Sequence, residues 1–352
     1  MRCGVLIPAY QPDEKLLALA RALSARGLET VVVNDGSTTG VEVFDALDSV
    51  EGVTVLGYEA NRGKGHALKM GFSHMAERGF DAAVTADADG QHTPEDIARV
   101  MDALAREPEK LVLGMRDVSQ MPPKSKTGNS LTRTLFRVLY GIDLKDTQTG
   151  LRGVPLNAAN TAALLALAGE RYEYEMEMLI ESPSLFPAGV TELPIETVYI
   201  DDNSSSHFRP LRDGAKIYAV LFRKLPAFLL SSLLAFGIDY ALFNLLYYVV
   251  FGGKLLSAVS TVGARAVSGT CNYFINRRFV FGGAGERYTF WNYWKLALGI
   301  LAVNLAVMYL LVDALRLPAF AMKLAVEALM YLVSFVVQNK WARGKVRGAS
   351  NL

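Results

Sequence analysis

The feature that most constrains the fold of this chain is a change of composition near residue 225. Beyond that point the sequence carries apolar stretches that are each long enough to cross a bilayer of about 30 Å. These stretches are Pro226–Phe251, Leu255–Ile275, Trp294–Leu315 and Pro318–Gln338. A soluble four-helix bundle would need long polar faces, which these segments lack. The sequence therefore predicts an all-α four-helix transmembrane domain over residues 225–352, after a separate domain over residues 1–224.

Basic residues around the apolar stretches predict their orientation. They lie before the first stretch, between the second and third, and after the fourth: Arg223, Lys224, Arg277, Arg278, Arg287, Lys295, Lys340, Arg343, Lys345 and Arg347. The opposite side shows only Lys254 and Arg316. The apolar run after Met1 is broken at Pro8, so no signal sequence is expected. The positive-inside rule then places the first domain and both termini in the cytoplasm, with four spans.

Polar residues near the middle of the spans are a second constraint on the membrane domain. They are Asp239, Arg265, Asn304 and Glu327. Isolated charges at that depth are costly, so they should face one another inside the bundle. Structural pairing of Arg265 with Asp239 or Glu327 is the favoured interpretation, and a transport or lipid-headgroup role is the alternative. The net charge of +1 argues against a nucleic-acid partner.

Short β-branched runs alternate with helical stretches through the first domain. The predicted strands are Val5–Pro8, Thr30–Asn34, Val53–Tyr58, Ala82–Ala86 and Lys110–Gly114, and the predicted helices are 13–26, 40–48, 64–78 and 94–106. This alternation predicts a mostly parallel sheet that is covered on both faces. Ligands bind such sheets beyond the carboxyl ends of the strands.

Three polar clusters fall at those predicted strand ends: Pro8–Tyr10, Asn34–Ser37 and Asp87–Asp89. In extended backbone, side chains two residues apart point the same way, so Asp87 and Asp89 should lie together, with Gln91 as a neutral third oxygen. Paired carboxylates at the mouth of a buried strand need a cationic partner. A hard divalent ion, held partly by protein and partly by diphosphate oxygens, is the partner that this chemistry favours.

Four ordered motifs resemble the inverting family-2 glycosyltransferases of GT-A fold, and most closely the polyprenyl-phosphate sugar transferases, which include dolichyl-phosphate mannose and glucose synthases. The motifs are Ile7–Tyr10, Val33–Ser37, Asn61–Gly65 and Asp87–Gln91, and the resemblance covers about residues 3–220. It implies an α/β GT-A domain (Rossmann-like, mostly parallel sheet). The C-terminal half resembles the GtrA-type four-span domain through Asn272–Phe281.

On the donor side, the resemblance implies Mg²⁺ or Mn²⁺ on Asp89 and Gln91, with Asp87 nearer the ribose. The predicted donor-binding residues are Pro8, Tyr10, Glu14, Asp35, Lys64, Asp87, Asp89, Gln91 and Arg209. The family usually has Asn-Glu directly after the tyrosine, which leaves open whether Asp13 or Glu14 reaches the nucleotide. Asn34–Ser37 is also compatible with a plain turn. Gly63–Gly65 either opens a helix that faces an anion or is a glycine turn with a solvated lysine. His92 is expected to be structural.

On the acceptor side, the resemblance implies that Arg116 and Lys126 hold the phosphate of a lipid, and Arg133 is assigned to the same phosphate. Basic residues interleaved with Leu131 and its apolar neighbours describe a basic amphipathic helix on a membrane surface, or an ordinary surface helix. The segment Asp146–Arg152 resembles the acceptor-side motif of the family. An orienting role is predicted for Asp146, with general base as the alternative.

The sequence as a whole predicts a membrane-anchored, metal-dependent, inverting transferase with Asp89, Asp146 and Arg116 as catalytic residues. It would move a hexose from a nucleotide diphosphate sugar to polyprenyl phosphate, with UDP-glucose favoured over GDP-mannose. A processive polysaccharide synthase usually carries a Gln-x-x-Arg-Trp motif, which is missing from this sequence. A membrane flippase or scaffold with an inactive transferase domain is the alternative, and a homo-oligomer is left open.

Overall fold

The computed structural model describes residues 1–117, 119, 121, 123–196, 210–251, 257–282, 285–343 and 350–351. The chain divides into two compact units. The first is formed mainly by Met1–Arg137 and Gly141–Leu221, and the second mainly by Phe222–Lys345.

The first unit is an α/β domain built on one sheet. Its strands are β1 (Cys3–Ala9), β2 (Thr30–Asp35), β3 (Val53–Tyr58), β4 (Ala82–Thr85), β5 (Leu111–Met115), β6 (Arg152–Pro155), β7 (Val190–Pro194) and the two-residue β8 (Ser350–Asn351). Its helices are α1 (Glu14–Ser24), α2 (Val41–Leu47), α3 (Lys64–Glu77), α4 (Pro94–Arg106), α5 (Pro123–Tyr140), α6 (Ala158–Leu165), α7 (Glu173–Leu185) and α8 (Pro210–Leu221).

The sheet has the strand order β3-β2-β1-β4-β6-β5-β7-β8. Strands β3, β2, β1 and β4 are parallel to one another, and β6 runs antiparallel to both β4 and β5. This confirms the predicted mostly parallel α/β fold, and each of the five predicted strands is present with ends shifted by no more than a few residues. The sequence did not predict β6 and β7. Strand β6 is only four residues long and carries an arginine and a proline, so it lacks the β-branched pattern of its neighbours.

Local sequence signals account for the helices that pack on this sheet, and α4 is a clear case. The Thr93 hydroxyl accepts a hydrogen bond from the backbone N–H of Asp96 at 3.1 Å, which caps the helix. Its apolar side chains at helical spacing, Ile97, Val100 and Leu104, are completely buried. Burying a side chain of this size contributes about 1.5–3 kcal/mol. The strand that ends at the polar segment before α4 is thereby held rigidly.

The second unit is helical. Its helices are α9 (Leu225–Asn244), α10 (Ser257–Ile275), α11 (Phe290–Met308) and α12 (Ala319–Ala342), and the first three continue as π-helical segments over Leu245–Val250, Asn276–Val280 and Tyr309–Ala314. Within the described residues, three helical stretches are long and apolar enough to cross a membrane: Leu225–Val250, Phe290–Ala314 and Ala319–Ala342. Helix α10 is not one of them, because Arg265, Asn272 and several hydroxyl residues lower its hydropathy. The predicted count of four spans is therefore not confirmed.

Polar residues in these helices form side-chain pairs. The guanidinium of Arg265 lies 3.2 Å from the Asp239 carboxylate, which also accepts a hydrogen bond from Ser268 at 2.8 Å. The predicted pairing of Arg265 with Asp239 is therefore confirmed. Glu327 instead accepts a hydrogen bond from Asn304 at 3.2 Å and pairs with Lys323, one turn earlier on its own helix, at 2.6 Å.

Candidate active site

A cavity of about 810 Å³ opens at the carboxyl ends of β1, β2 and β4. This is the edge of the sheet at which the sequence predicted a ligand site. Of the predicted donor-binding residues, those that line it are Pro8, Tyr10, Asp35, Lys64, Asp87 and Asp89. Asp13 lines it as well, whereas Glu14 is exposed at the start of α1 and does not. The structure therefore brings the first of these two acids to the cavity. Arg209 lies outside the described residues.

Asp35 organises the floor of the cavity. One of its carboxylate oxygens accepts hydrogen bonds from the Tyr58 hydroxyl at 2.8 Å and from the backbone N–H groups of Arg62 and Gly63 at 2.8 and 2.9 Å. The other accepts one from the Asn61 amide at 3.0 Å. Asp35 thus ties the second motif to the third, and its less occupied oxygen is the one that retains capacity for a ligand.

The segment Asn34–Ser37 also forms the turn that its composition favours. The Asn34 side chain accepts a hydrogen bond from the Ser37 N–H at 2.8 Å. Gly36 has φ of +64°, and a Cβ there would lie 2.4 Å from the backbone of Asn61. The segment is therefore a turn and a part of the cavity at the same time, because the turn brings Asp35 to the third motif.

Asp87 is surrounded by basic groups. The Lys64 ammonium lies 2.6 Å from its carboxylate, and His92 lies 3.4 Å from it. Burial alone would raise the pKa of Asp87, but the charge of Lys64 and the contact with His92 hold that pKa well below its ordinary value. The same ammonium lies 2.9 Å from Glu175 on α7. Lys64, predicted to face the donor, is thus held between two carboxylates in this structure.

Asp89 has fewer protein partners than Asp87. Its carboxylate accepts a hydrogen bond from the backbone N–H of Gln91 at 3.1 Å. Burial, and then the negative charge of Asp87, raise the pKa of Asp89. A divalent cation would offset both effects, so the carboxylate of Asp89 fits a hard metal ion. Gln91, the second predicted ligand, is not among the residues that line the cavity. The described residues contain no group of three or more His, Cys, Asp or Glu side chains that could hold a metal. Other oxygen ligands would have to complete the coordination.

The predicted acceptor side is centred on a bidentate ion pair. Arg116 donates to both carboxylate oxygens of Asp146, at 2.7 and 3.1 Å, and Asp146 is completely buried. Asp146 also accepts a hydrogen bond from the Gln148 N–H at 3.0 Å. Lys126 is exposed on α5. Arg133, on the same helix, lies 3.5 Å from Asp143.

The loop that follows Asp146 packs directly against the donor motif. The Thr85 hydroxyl donates a hydrogen bond to the carbonyl oxygen of Gly150 at 2.7 Å. A Cβ on Gly150 would lie 2.2 Å from a carboxylate oxygen of Asp87, which no real structure accepts. The structure therefore joins the acceptor-side motif and the acid pair in one site.

The sequence assigned no individual role to two buried residues of this site, Arg152 at the end of the acceptor-side motif and Glu175 on α7. Arg152 is 1% exposed and donates to the backbone carbonyls of Thr149 and Glu175 at 2.9 and 2.8 Å. Its guanidinium also lies 3.6 Å from the Glu175 carboxylate, so Glu175 contacts both Arg152 and Lys64. The available signal was the alternation of three glutamates in Glu173–Glu177, which is unusual for a stretch of helix whose residues are all buried.

The loop before α7 contributes two further cavity residues, Arg171 and Tyr172. Burial raises the pKa of Tyr172 to about 12, so the phenol keeps its proton at neutral pH. Neither residue belongs to a motif that the sequence singled out.

Comparison with known proteins agrees with this architecture. Residues 4–163 match the model of glycosyl transferase family 2, and residues 227–343 match that of the GtrA/DPMS transmembrane domain. An undecaprenyl-phosphate mannosyltransferase of Micrococcus luteus is 31% identical over 207 residues, which cover 56% of this chain and 84% of the relative. The chain therefore belongs to glycosyl transferase family 2, and it is a membrane protein with a C-terminal domain of the GtrA/DPMS type.

Two other relatives show that similar proteins are named for different sugars. A UDP-N-acetylglucosamine–dolichyl-phosphate N-acetylglucosaminyltransferase of Methanococcus voltae is 29% identical over 217 residues, or 56% of this chain and 86% of the relative. A dolichyl-phosphate beta-glucosyltransferase of Saccharomyces cerevisiae is 27% identical over 216 residues, or 50% of this chain and 61% of the relative. The predicted resemblance to polyprenyl- and dolichyl-phosphate sugar transferases is confirmed.

Proposed function

We propose that this protein transfers a hexose from a nucleotide diphosphate sugar to the phosphate of a long polyprenol, with inversion at the anomeric carbon. A phosphate oxygen of the acceptor forms the new bond to that carbon as the bond to the donor diphosphate breaks. The products are polyprenyl-phosphate-sugar and the free nucleoside diphosphate. Relatives named for lipid-phosphate acceptors support this assignment.

The observation that carries the proposal is the contact between Gly150 and Asp87. The loop that begins at the Arg116–Asp146 pair packs against Asp87, next to the proposed metal position, so a motif suited to the acceptor phosphate directly contacts a motif suited to the donor diphosphate. Arginine is well matched to a phosphate by its planar, bidentate fork. We assign the acceptor phosphate to Arg116, with Lys126 and Arg133 as further contacts from α5.

Asp146 supports Arg116 and does not take a proton. Both of its carboxylate oxygens accept hydrogen bonds from Arg116, and its side chain is completely buried. The acceptor phosphate is already anionic near neutral pH, so it needs positioning more than deprotonation. This favours the orienting role over the general base.

Donor binding is assigned to the groups that line the cavity. We assign the ring face of Tyr10 to the base, an acceptor oxygen of Asp35 to the base, and Asp87 to the ribose; all three residues line the cavity. Asp89 and Gln91 would hold Mg²⁺ or Mn²⁺, which neutralises negative charge on the leaving diphosphate. Pro8 and Asp13 line the same cavity, so the acid after Tyr10 that we assign to the donor is Asp13 rather than Glu14. Arg209 is assigned to the donor by its sequence motif.

The donor sugar is proposed to be glucose on UDP, with mannose on GDP as the second candidate. The full-length protein, incubated with undecaprenyl phosphate and a panel of radiolabelled nucleotide sugars, should move label from one of them into the lipid extract. A matched reaction without the lipid should give no extractable label. Label that enters the extract equally without undecaprenyl phosphate would refute the proposed acceptor.

The membrane domain is proposed to span the bilayer four times, with both termini in the cytoplasm. In this proposal α10 is a span in addition to the three long apolar stretches. The basic residues that flank the helices support this orientation. Single cysteines placed at residues 224 and 316 should react with a membrane-impermeant maleimide from opposite sides of the membrane. Labelling of both from one side would contradict the assignment.

A further inference from the structure

The donor cavity holds more negative than positive charge. Its wall carries the carboxylates of Asp13, Asp35, Asp87, Asp89 and Asp213. The lysine that the sequence assigned to the donor, Lys64, is held between Asp87 and Glu175 at 2.6 and 2.9 Å. A nucleoside diphosphate brings two or more further negative charges, and these need cationic partners in a partly buried site. The basic cavity residues other than Lys64, within the described part of the chain, are Arg171 and Arg212.

Arg171 is the better placed of the two arginines. Among the residues that the structure describes, no carboxylate lies within salt-bridge distance of its guanidinium, although its side chain is only partly exposed. Arg212 is exposed and lies in the first turn of α8, three residues after the undescribed segment 197–209. The guanidinium of Arg171 therefore belongs to the cavity wall, and no carboxylate of the described residues neutralises its charge.

The loop that carries Arg171 is fixed to helix α3 through its neighbour Glu170. The Glu170 carboxylate is bonded to the His66 ring at 2.6 Å and to the Lys69 ammonium at 2.7 Å. Its carbonyl oxygen accepts a hydrogen bond from the His66 backbone N–H at 3.0 Å. On the other side, the Arg171 carbonyl accepts one from the Tyr174 N–H at 3.2 Å. The backbone is thus held before and after Arg171.

The glycines of the third motif make this close packing possible. A Cβ on Gly63 would lie 2.4 Å from Cγ of Arg171, and a Cβ on Gly65 would lie 2.5 Å from Cβ of Tyr174. Gly63 also has φ of +112°, a conformation that other residues rarely adopt. The motif therefore does more than open a helix, because it seats the stem of the Arg171 side chain at the cavity wall.

From these contacts we infer that Arg171 is a donor-binding residue whose guanidinium binds the diphosphate of the nucleotide sugar, and that Glu170 positions it. The inference rests on the proposed function only in taking a nucleotide diphosphate sugar as the donor. A planar guanidinium matches the oxygen pairs of a diphosphate. Because the loop is already fixed, little conformational freedom is lost when the ligand binds.

Nucleotide binding to the full-length protein tests this without turnover. UDP and GDP are titrated by calorimetry, in buffer with Mg²⁺, into the wild type, Arg171→Ala, Arg171→Lys and Glu170→Gln. Loss of a charge-assisted contact should raise the Kd of Arg171→Ala about ten- to a hundredfold. Arg171→Lys should recover part of that loss, since it keeps the charge but not the fork. Glu170→Gln should weaken binding by a smaller factor.

Two controls make the result specific. Arg106→Ala, which removes an exposed arginine of α4 that does not line the cavity, should bind as the wild type does. The corresponding nucleoside, measured by competition, should bind Arg171→Ala and wild type within about a factor of two, because it lacks the diphosphate that supplies the charge-assisted contact. Thermal unfolding identifies a variant that fails to fold, in which case Arg171→Lys and Glu170→Gln decide.

The outcomes separate this inference from the proposed function. If the wild type binds a nucleoside diphosphate and folded Arg171→Ala binds it equally well, the inference is overturned and the proposed function stands. Equal weakening of the nucleoside and the diphosphate would also overturn it, because the arginine would then act on the base or on the fold. A wild type that binds neither UDP nor GDP would overturn the proposed function and this inference together.

Discussion

The two halves of the sheet differ in how they bring residues to the edge at which the cavity opens. In the N-terminal half-sheet (β3-β2-β1-β4) all strands are parallel, so polar residues at their carboxyl ends meet at one edge. In the C-terminal half-sheet (β6-β5-β7), β6 runs antiparallel to both β4 and β5. The loop that precedes β6, rather than one that follows it, therefore reaches the same edge and brings Gly150 against Asp87.

This difference shows in which part of a sheet a ligand site can be predicted from the sequence. The rule that ligands lie beyond carboxyl ends locates the donor groups, because it follows from parallel pairing. One reversed strand is enough to add a second group of residues from the opposite end of a strand. On our account the N-terminal half-sheet binds the nucleotide sugar and the C-terminal half-sheet, with α5, binds the lipid phosphate.

The largest expected effect falls on the N-terminal half-sheet. Asp89→Ala should lower kcat by about 10²–10³-fold or more, because it removes a ligand of the ion that neutralises the leaving group. Removal of metal with EDTA should act in the same way, and Mg²⁺ or Mn²⁺ should restore the wild type. The readout is label transferred from the nucleotide sugar to lipid. Full turnover of metal-free protein in excess EDTA would show that the reaction does not need a metal ion.

The next effect tests the contact between the two halves. Gly150→Ala should reduce kcat about a hundredfold, since a Cβ placed 2.2 Å from the Asp87 carboxylate must displace one of the two motifs. The matched control is Gly128→Ala, because a Cβ there meets no heavy atom within 4 Å. Equal activity of the two variants would show that the motifs are not packed together as described.

A smaller effect distinguishes the two candidate roles of Asp146, as an orienting group and as a general base. Asp146→Asn keeps the shape of the side chain but removes the charge that holds Arg116, so kcat/KM for polyprenyl phosphate should fall about tenfold. The profile of rate against pH should keep its form. If Asp146 were the general base, the loss should exceed about 10²-fold and the acidic limb of the profile should disappear.

The smallest effect concerns stability alone. Thr93→Ala removes the cap of α4 and should destabilise the protein by about 1 kcal/mol, whereas Thr93→Ser should be close to neutral. Thermal unfolding measures the difference, and kcat per folded molecule should not change. A large loss of kcat would show that α4 takes part in the site rather than supporting β4.

The sequence predicted most of the N-terminal half-sheet, but few of the ion pairs that surround Lys64. The strand over Thr30–Asn34 was predicted correctly, because buried parallel strands are apolar and β-branched. The partners of Lys64 could not be predicted, since Glu175 lies far along the chain and is brought near only by the tertiary fold. Local spacing carries no information about such a contact.

In the helical unit, too, one ion pair was predicted from the sequence and another was not. The position of Arg265 and Asp239 near the middle of their helices was enough to predict their pairing, because unpaired charges are costly at that depth. The partner of Glu327 was not predicted, since Lys323 one turn away on the same helix competes with Arg265. The polar residues of α10 also explain why its hydropathy does not identify it as a span, so that the predicted count of four is not confirmed.

The claim that the two half-sheets bind different substrates is tested most directly by steady-state kinetics of Arg116→Ala, with nucleotide sugar and polyprenyl phosphate varied independently. The account predicts that KM for polyprenyl phosphate rises about ten- to a hundredfold, because one charge-assisted contact is lost, while KM for the nucleotide sugar stays within about twofold. Equal increases in both Michaelis constants would contradict the account, since Arg116 would then serve the donor diphosphate or the fold as a whole.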